Sequence, residues 1–239
     1  MSAAAIVGAT GAIGSALSRR LFARGVTPWL IGRSASALEA LSAELGGAPF
    51  TLCGDLQDPT AVGGLLKDQG PEGLNGLAYC VGDIVLKPYK RATPAEFHQA
   101  LNIHVVSAAE CLKAVEPQLK KNGGSVVLFS SVAVQQGFTN HAIVSSAKGA
   151  VEGLTRSLAA ELAPKVRVNA IAPSISHSAM AMPMLGKEAM AQALAKAHPM
   201  QRVGSADDHA ALASFLLSDD ASWITGQILG VDGGRAAVA

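Results

Sequence analysis

Residues 3–17 read AAAIVGATGAIGSAL. An apolar run, 3–8, meets glycines at Gly8, Gly11 and Gly14, each three residues from the last. A helix-period segment, 12–24, begins inside the same stretch, with Ile13, Leu17 and Leu21 on one face. A buried strand that turns through glycines into a helix N-terminus is the arrangement that holds a pyrophosphate. Without side chains, backbone N–H groups can approach the phosphates, and the helix dipole adds partial positive charge. The spacing is GxxGxxG, not GxGxxG, and a tight strand-to-helix turn satisfies the same pattern.

Outward from this stretch the alternation repeats. Strand-like runs lie at 28–32, 49–53, 76–81, 125–130, 166–172 and 227–232. Helix-period segments lie at 35–45, opened by Ser34, and at 58–69, 94–120, 141–163 and 205–218. The strand runs are continuously apolar, which predicts a sheet covered on both faces. The expected fold class is therefore α/β: a single Rossmann-type doubly wound parallel sheet of about seven strands, with helices on both faces and right-handed crossovers. One dinucleotide-binding domain is expected over 1–239. The stretch 174–204, rich in Ser, Met, Ala and Pro, is too long for a simple connection and is expected to be a flap. Its Met180, Met182, Met184 and Met190 suit an adaptable apolar surface, facing either substrate or another subunit.

Composition narrows the function classes. Of 239 residues, 49% are apolar and 15% charged, and the formal net charge is +1. Nothing in this balance favours nucleic acid or an anionic membrane as partner. No apolar stretch approaches the roughly 20 residues of a spanning helix. The histidines are not paired at metal spacing, so no metal is expected. Cys53, Cys80 and Cys111 are odd in number and without CxxC, and are expected as reduced core thiols. That places the chain in a reducing compartment, the cytoplasm by default or an organelle matrix after removal of a transit peptide. The N-terminus lacks the basic region of a signal peptide.

The second strand ends Ile31-Gly32-Arg33. An acidic residue there would hold a ribose 2′-OH, whereas an arginine with room beside it suits a 2′-phosphate, which favours NADP(H). Asp55 is a candidate contact to the adenine edge, or a helix cap beside Asp58.

Taken together, these motifs resemble the short-chain dehydrogenase/reductase family, over nearly the whole chain. The glycine turn resembles the TGxxxGxG of that family, in the spacing of its extended and atypical branches. Asn102 in ALNIHV matches the helix asparagine. GSVVLFSSVA places Ser131 at the catalytic serine, and AKGAVEGLTRSLAAELA places Lys148 at the family lysine. VRVNAIAPS and WITGQILGVDGG match the last two strands. The resemblance implies cofactor contacts at Thr10, Ile13, Leu56, Val81, Gly82, Lys148, Pro173 and Ser174. It also implies a small-molecule substrate and a homo-oligomer joined through the segments 94–120 and 141–163.

Three departures stand out. NNAG after the fourth strand reads Tyr79-Cys80-Val81-Gly82, and Pro-Gly reads Pro173-Ser174. Most consequentially, the YxxxK tyrosine is absent: four residues before Lys148, and thirteen after Ser131, stands Val144. Valine donates no proton, and general acid catalysis is typically worth about 10²–10⁴-fold. One expectation is a substitute acid. His141 lies seven residues before Lys148, about 20° off the same helical face, the offset at which the family's enoyl reductases carry their tyrosine. Tyr79 and Tyr89 are weaker candidates, for which packing is the alternative. The other expectation is a catalytically silent NADP(H)-binding subunit, structural or sensing, within a larger assembly.

Overall fold

A computed structural model of the chain describes residues 2–47, 50–55, 58–67 and 69–238. The elements run β1 (Ala3–Val7), α1 (Ala12–Ala23), β2 (Thr27–Gly32), α2 (Ala35–Glu44), β3 (Phe50–Cys53), α3 (Pro59–Leu66), β4 (Leu74–Tyr79) and α4 (Pro94–Leu101). They continue with α5 (Ser107–Asn122), β5 (Ser125–Phe129), α6 (Ala142–Leu162) and β6 (Arg167–Pro173). The last are α7 (Met182–Leu185), α8 (Glu188–Lys196), α9 (Ala206–Leu217) and β7 (Ile228–Val231). All strand pairs are parallel, in the order β3-β2-β1-β4-β5-β6-β7.

The continuous apolar runs have the expected consequence. Because strand side chains alternate sides, Ala3, Ala5 and Val7 of β1 enter one core with Trp29, Leu77, Leu112 and Val115. Ala4 and Ile6 enter the other, with Leu17, Leu21, Leu30 and Leu216. Helices α3, α5 and α6 pack on the first face; α1 and α9 pack together on the second. The edge strands differ from the central ones: three of the four residues of β3 are exposed, and β7 is only partly covered. Cys53, at the end of β3, is accordingly exposed, which corrects the expectation that all three thiols lie in the core. No disulfide is present among the described residues.

Two further corrections concern helices. The segment expected as one helix over 94–120 is interrupted by a π turn at Asn102–Val106 between α4 and α5. Hydrophobic period alone does not register an inserted residue of this kind, which often marks a functional site. The stretch 174–204 is not irregular throughout, since it contains α7 and α8. A local cluster of Ala181, Leu185 and Val203 with Leu194 holds it together.

In this strand order β1 and β4 are neighbours whose chains leave in opposite directions. The crevice outside their C-terminal ends is where open α/β sheets bind ligands.

Candidate active site

The glycine turn lies at that crevice. Gly8 has φ +85°, which favours glycine, and its N–H donates to the Ile31 carbonyl at 2.8 Å. A Cβ on Gly14 would stand 2.2 Å from the Gly8 carbonyl oxygen, so α1 approaches the turn too closely for any side chain. Gly11 is the N-cap of α1, with no side-chain cap and no acidic residue in the first turn. The first N–H groups of a helix have no intrahelical acceptor, and here no side chain supplies one at the cap. This cradle fits a dinucleotide pyrophosphate. Thr10 borders Gly32, with its Oγ1 3.5 Å from where a Gly32 Cβ would be, and exposed Arg33 follows. Ile13 packs against the α1 side of the core.

Asp55 lies exposed after β3. Asp58, nearby, caps the start of α3, its Oδ1 accepting from the Ala61 N–H. Leu56 lies outside the described residues. Val81 and Gly82 follow β4 after Cys80, and Pro173 ends β6 with Ser174 next. The serine that stands in place of glycine at 174 has a partner: Ser174 Oγ lies 2.8 Å from Nε2 of buried His198, whose Nδ1 donates to the Leu194 carbonyl at 2.7 Å. The hydroxyl therefore ties the end of β6 to the end of α8.

The candidate reaction groups converge from three elements. Lys148, on α6, is only 9% exposed, and its Nζ donates to the Phe129 carbonyl at the end of β5, at 2.7 Å. Burial pulls its pKa down to about 8, opposed by the charge of Asp83 and by Cys80. Ser131 begins the turn after β5; its Oγ accepts from the Ala133 N–H at 3.2 Å, which leaves the O–H free to donate. Neighbouring Ser130 is committed inward, to Glu152 Oε1 at 2.9 Å. Asn102 begins the π turn, and its carbonyl accepts from the Ser107 N–H.

Val144 is buried on α6, and neither tyrosine takes the place of the missing phenol. The Tyr79 hydroxyl donates to the Ile103 carbonyl at 2.6 Å, and burial raises its pKa far above the usual phenol range. Tyr89 is 75% exposed, in a short turn at Tyr89–Arg91. His141 is the N-cap residue of α6, after Asn140, whose φ is +67°. Its Nδ1 lies 2.7 Å from the Thr139 carbonyl. A carbonyl only accepts, so Nδ1 bears the proton and Nε2 is the nitrogen left for chemistry. The ring sits 5.3 Å from that of Phe138, over which the Arg235 guanidinium lies at 5.5 Å. The C-terminal tail thus packs onto the loop that carries His141.

Two groups were not singled out in the sequence. Asp83 follows Gly82, and His104 is the third residue of the π turn. Their side chains meet with Asp83 Oδ1 3.0 Å from His104 Nε2. They are 21 residues apart on different elements, and no motif links them.

Comparison with known proteins agrees with this architecture. The sequence matches the family described as "Enoyl-(Acyl carrier protein) reductase" over residues 8–236. It is 31% identical to L-xylulose reductase of Bos taurus over 237 residues, 98% of this chain and 96% of the relative. It is also 31% identical to the "Inactive 2-(S)-hydroxypropyl-CoM dehydrogenase 2" of Xanthobacter autotrophicus over 233 residues, 93% of this chain and 100% of that protein. Among solved structures, a protein of Beutenbergia cavernae provisionally assigned as an NAD(P)-dependent gluconate 5-dehydrogenase, with bound NADP at low occupancy, superposes with a TM-score of 0.92. The two are 27% identical, and the match covers 99% of this chain and 97% of the other.

Proposed function

The chain belongs to the short-chain dehydrogenase/reductase family, and on that premise we propose that it is an NADP(H)-dependent oxidoreductase of small or acyl-type carbonyl or enone substrates, with His141 in place of the usual phenol as proton donor. The observation that carries the reading is the buried Lys148 ammonium beside a glycine cradle that no side chain caps.

In this reading Gly8, Thr10, Gly11, Ile13 and Gly14 hold the pyrophosphate, and Arg33 meets the 2′-phosphate. Asp55 and Leu56 border the adenine. Val81, Gly82, Pro173 and Ser174 line the nicotinamide end, and Lys148 holds ribose hydroxyls. When bound, the nicotinamide supplies or accepts the hydride. The Ser131 O–H hydrogen-bonds the substrate oxygen, the Asn102 turn frames the pocket from below, and His141 Nε2 delivers the proton that balances the hydride. Because Nδ1 is occupied at Thr139, Nε2 donates only from the doubly protonated ring.

The exposed Met180, Met182 and Met190 of the stretch 174–204 give the substrate side an apolar, adaptable character. Exposed Leu101 and Val106, on the segment joining α4 to α5, support self-association there.

The test is NADPH oxidation against a panel of ketones and enones. His141→Ala should lower kcat by about 10²–10³-fold with little change in NADPH affinity. Turnover unchanged by that substitution removes His141 from the mechanism. Tight NADPH binding without turnover of any panel member identifies a silent nucleotide-binding subunit.

A further inference from the structure

Resting on that reading of Lys148, we infer that Asp83 and His104 are positioning residues: a partly exposed carboxylate held by a buried imidazole at the crevice, which serves as counter-charge to the Lys148 ammonium and keeps it protonated in a pocket without the phenol.

The geometry begins with the π turn. His104 is turned into the interior and is 2% exposed, although its helix segment runs along the surface at Val106. Its Nε2 faces Asp83 Oδ1 at 3.0 Å. An ionised carboxylate only accepts, so Nε2 bears the proton and Nδ1 is a bare lone pair. That Nδ1 is buried and has no hydrogen-bond partner among the described residues. Gly82 shows where it is aimed. A Cβ on Gly82 would lie 2.7 Å from His104 Cε1 and 3.3 Å from Nδ1, and 3.6 Å from Lys148 Nζ. Imidazole and ammonium thus converge on one point, and only glycine leaves that point open.

The charges agree with the contacts. Lys148 spends one N–H on the Phe129 carbonyl, which leaves two donors and a full charge to compensate in a site where isolated ions are expensive. The titratable groups whose charge acts on it are Asp83 and Cys80, from the segment after β4, and His104 from the π turn. Burial pushes the Cys80 thiol up to about 12, so it is neutral. Burial also holds the His104 ring below its ordinary value, hence neutral at pH 7. Asp83 is held below the ordinary carboxylate range, first by its hydrogen bond with His104 and also by Lys148. Asp83 is therefore the negative charge. His104 anchors it, because an Asp83 side chain that is 34% exposed could otherwise swing to water.

The test follows the Lys148 side chain itself, by NMR of lysine-labelled protein without cofactor or substrate, with the signal assigned through Lys148→Arg. The wild-type amine should titrate near pH 8. Asp83→Asn should lower that midpoint by about one unit, the size expected on losing a nearby opposite charge. His104→Leu should lower it by a smaller amount, while His104→Gln, which still donates to Asp83, should restore it. At pH 8, Asp83→Asn should also weaken NADPH severalfold, and at pH 6.5 it should not. A Lys148 midpoint that is unmoved in folded Asp83→Asn and His104→Leu overturns the inference. If Asp83→Asn does not fold, the His104 pair alone decides it. Since the titration needs neither cofactor nor turnover, failure to reduce any substrate would count against the proposed function and leave this result standing.

Discussion

The glycine turn after β1 and the Lys148 pocket touch each other, yet they are made of different materials. A Cβ on Gly8 would meet the Cys80 carbonyl carbon at 3.1 Å, so the two sites are in contact. In the turn, the groups offered to a ligand are backbone N–H groups, and side chains are present only as things to exclude. In the pocket, the offer is made by side chains: the ammonium of Lys148, the Asp83 carboxylate, the His104 ring and the Ser131 hydroxyl. A site made of backbone is broken by adding atoms. A site made of charged side chains loses its function when one of them is removed, even where the fold gains by losing a buried charge.

Three substitutions separate these behaviours, from the largest expected effect to the smallest. Gly14→Ala adds one carbon where the Gly8 carbonyl oxygen is 2.2 Å away and both neighbours are backbone. It should destabilise the protein by about 2–4 kcal/mol and abolish NADPH binding. A normal melting temperature with normal NADPH titration in Gly14→Ala would mean that the turn is not the cradle.

Lys148→Met should divide function from stability. NADPH should weaken about tenfold or more, while Tm at pH 7 should rise by about 2–4 °C as an expensive buried charge is removed. The sign follows from linkage. The folded Lys148 pKa, about 8, is below the ordinary 10.5, so the unfolded chain binds the extra proton between those values. Wild-type stability therefore increases with pH across that window, and Lys148→Met should flatten the increase. A fall in Tm in the variant would show that the ammonium is fully compensated where it lies.

Arg33→Ala should have the smallest effect. Arg33 is exposed and solvent-screened, so the loss should be about tenfold in NADPH affinity with NADH unchanged. Equal weakening of both cofactors would remove the 2′-phosphate contact.

Much of the fold could be read from residue pattern alone. β1, α1, α2 and α6 lie within a residue or two of the expected bounds, since each rests on local periodicity with a local stop. Ser34 does accept from the Ala37 N–H as a cap. Helix α8 was missed because no side chain caps it at Lys187 and its setting of Ser, Met and Pro reads as loop. The π turn was missed because an inserted residue leaves composition and period nearly unchanged. The motif VRVNAIAPS could be matched as a string, but its physical meaning is structural. Asn169 donates to the Ile224 carbonyl and accepts from the Gln227 N–H, and Arg167 donates to the Leu216 and Ser218 carbonyls. Together these bonds tie β6 to the segment leading into β7.

What the sequence by itself determined was everything carried by neighbours along the chain: parallel strands covered on both faces, a glycine turn that opens a helix, a lysine without its tyrosine. These depend on spacings of a few residues, and so survive in one dimension. Only the tertiary structure decided which groups stand against Lys148. Asp83 and His104 belong to different elements, brought together where β4 ends and a π turn rotates one side chain inward. Electrostatic interaction depends on distance through space and on exclusion of water, and neither quantity is written in the order of residues.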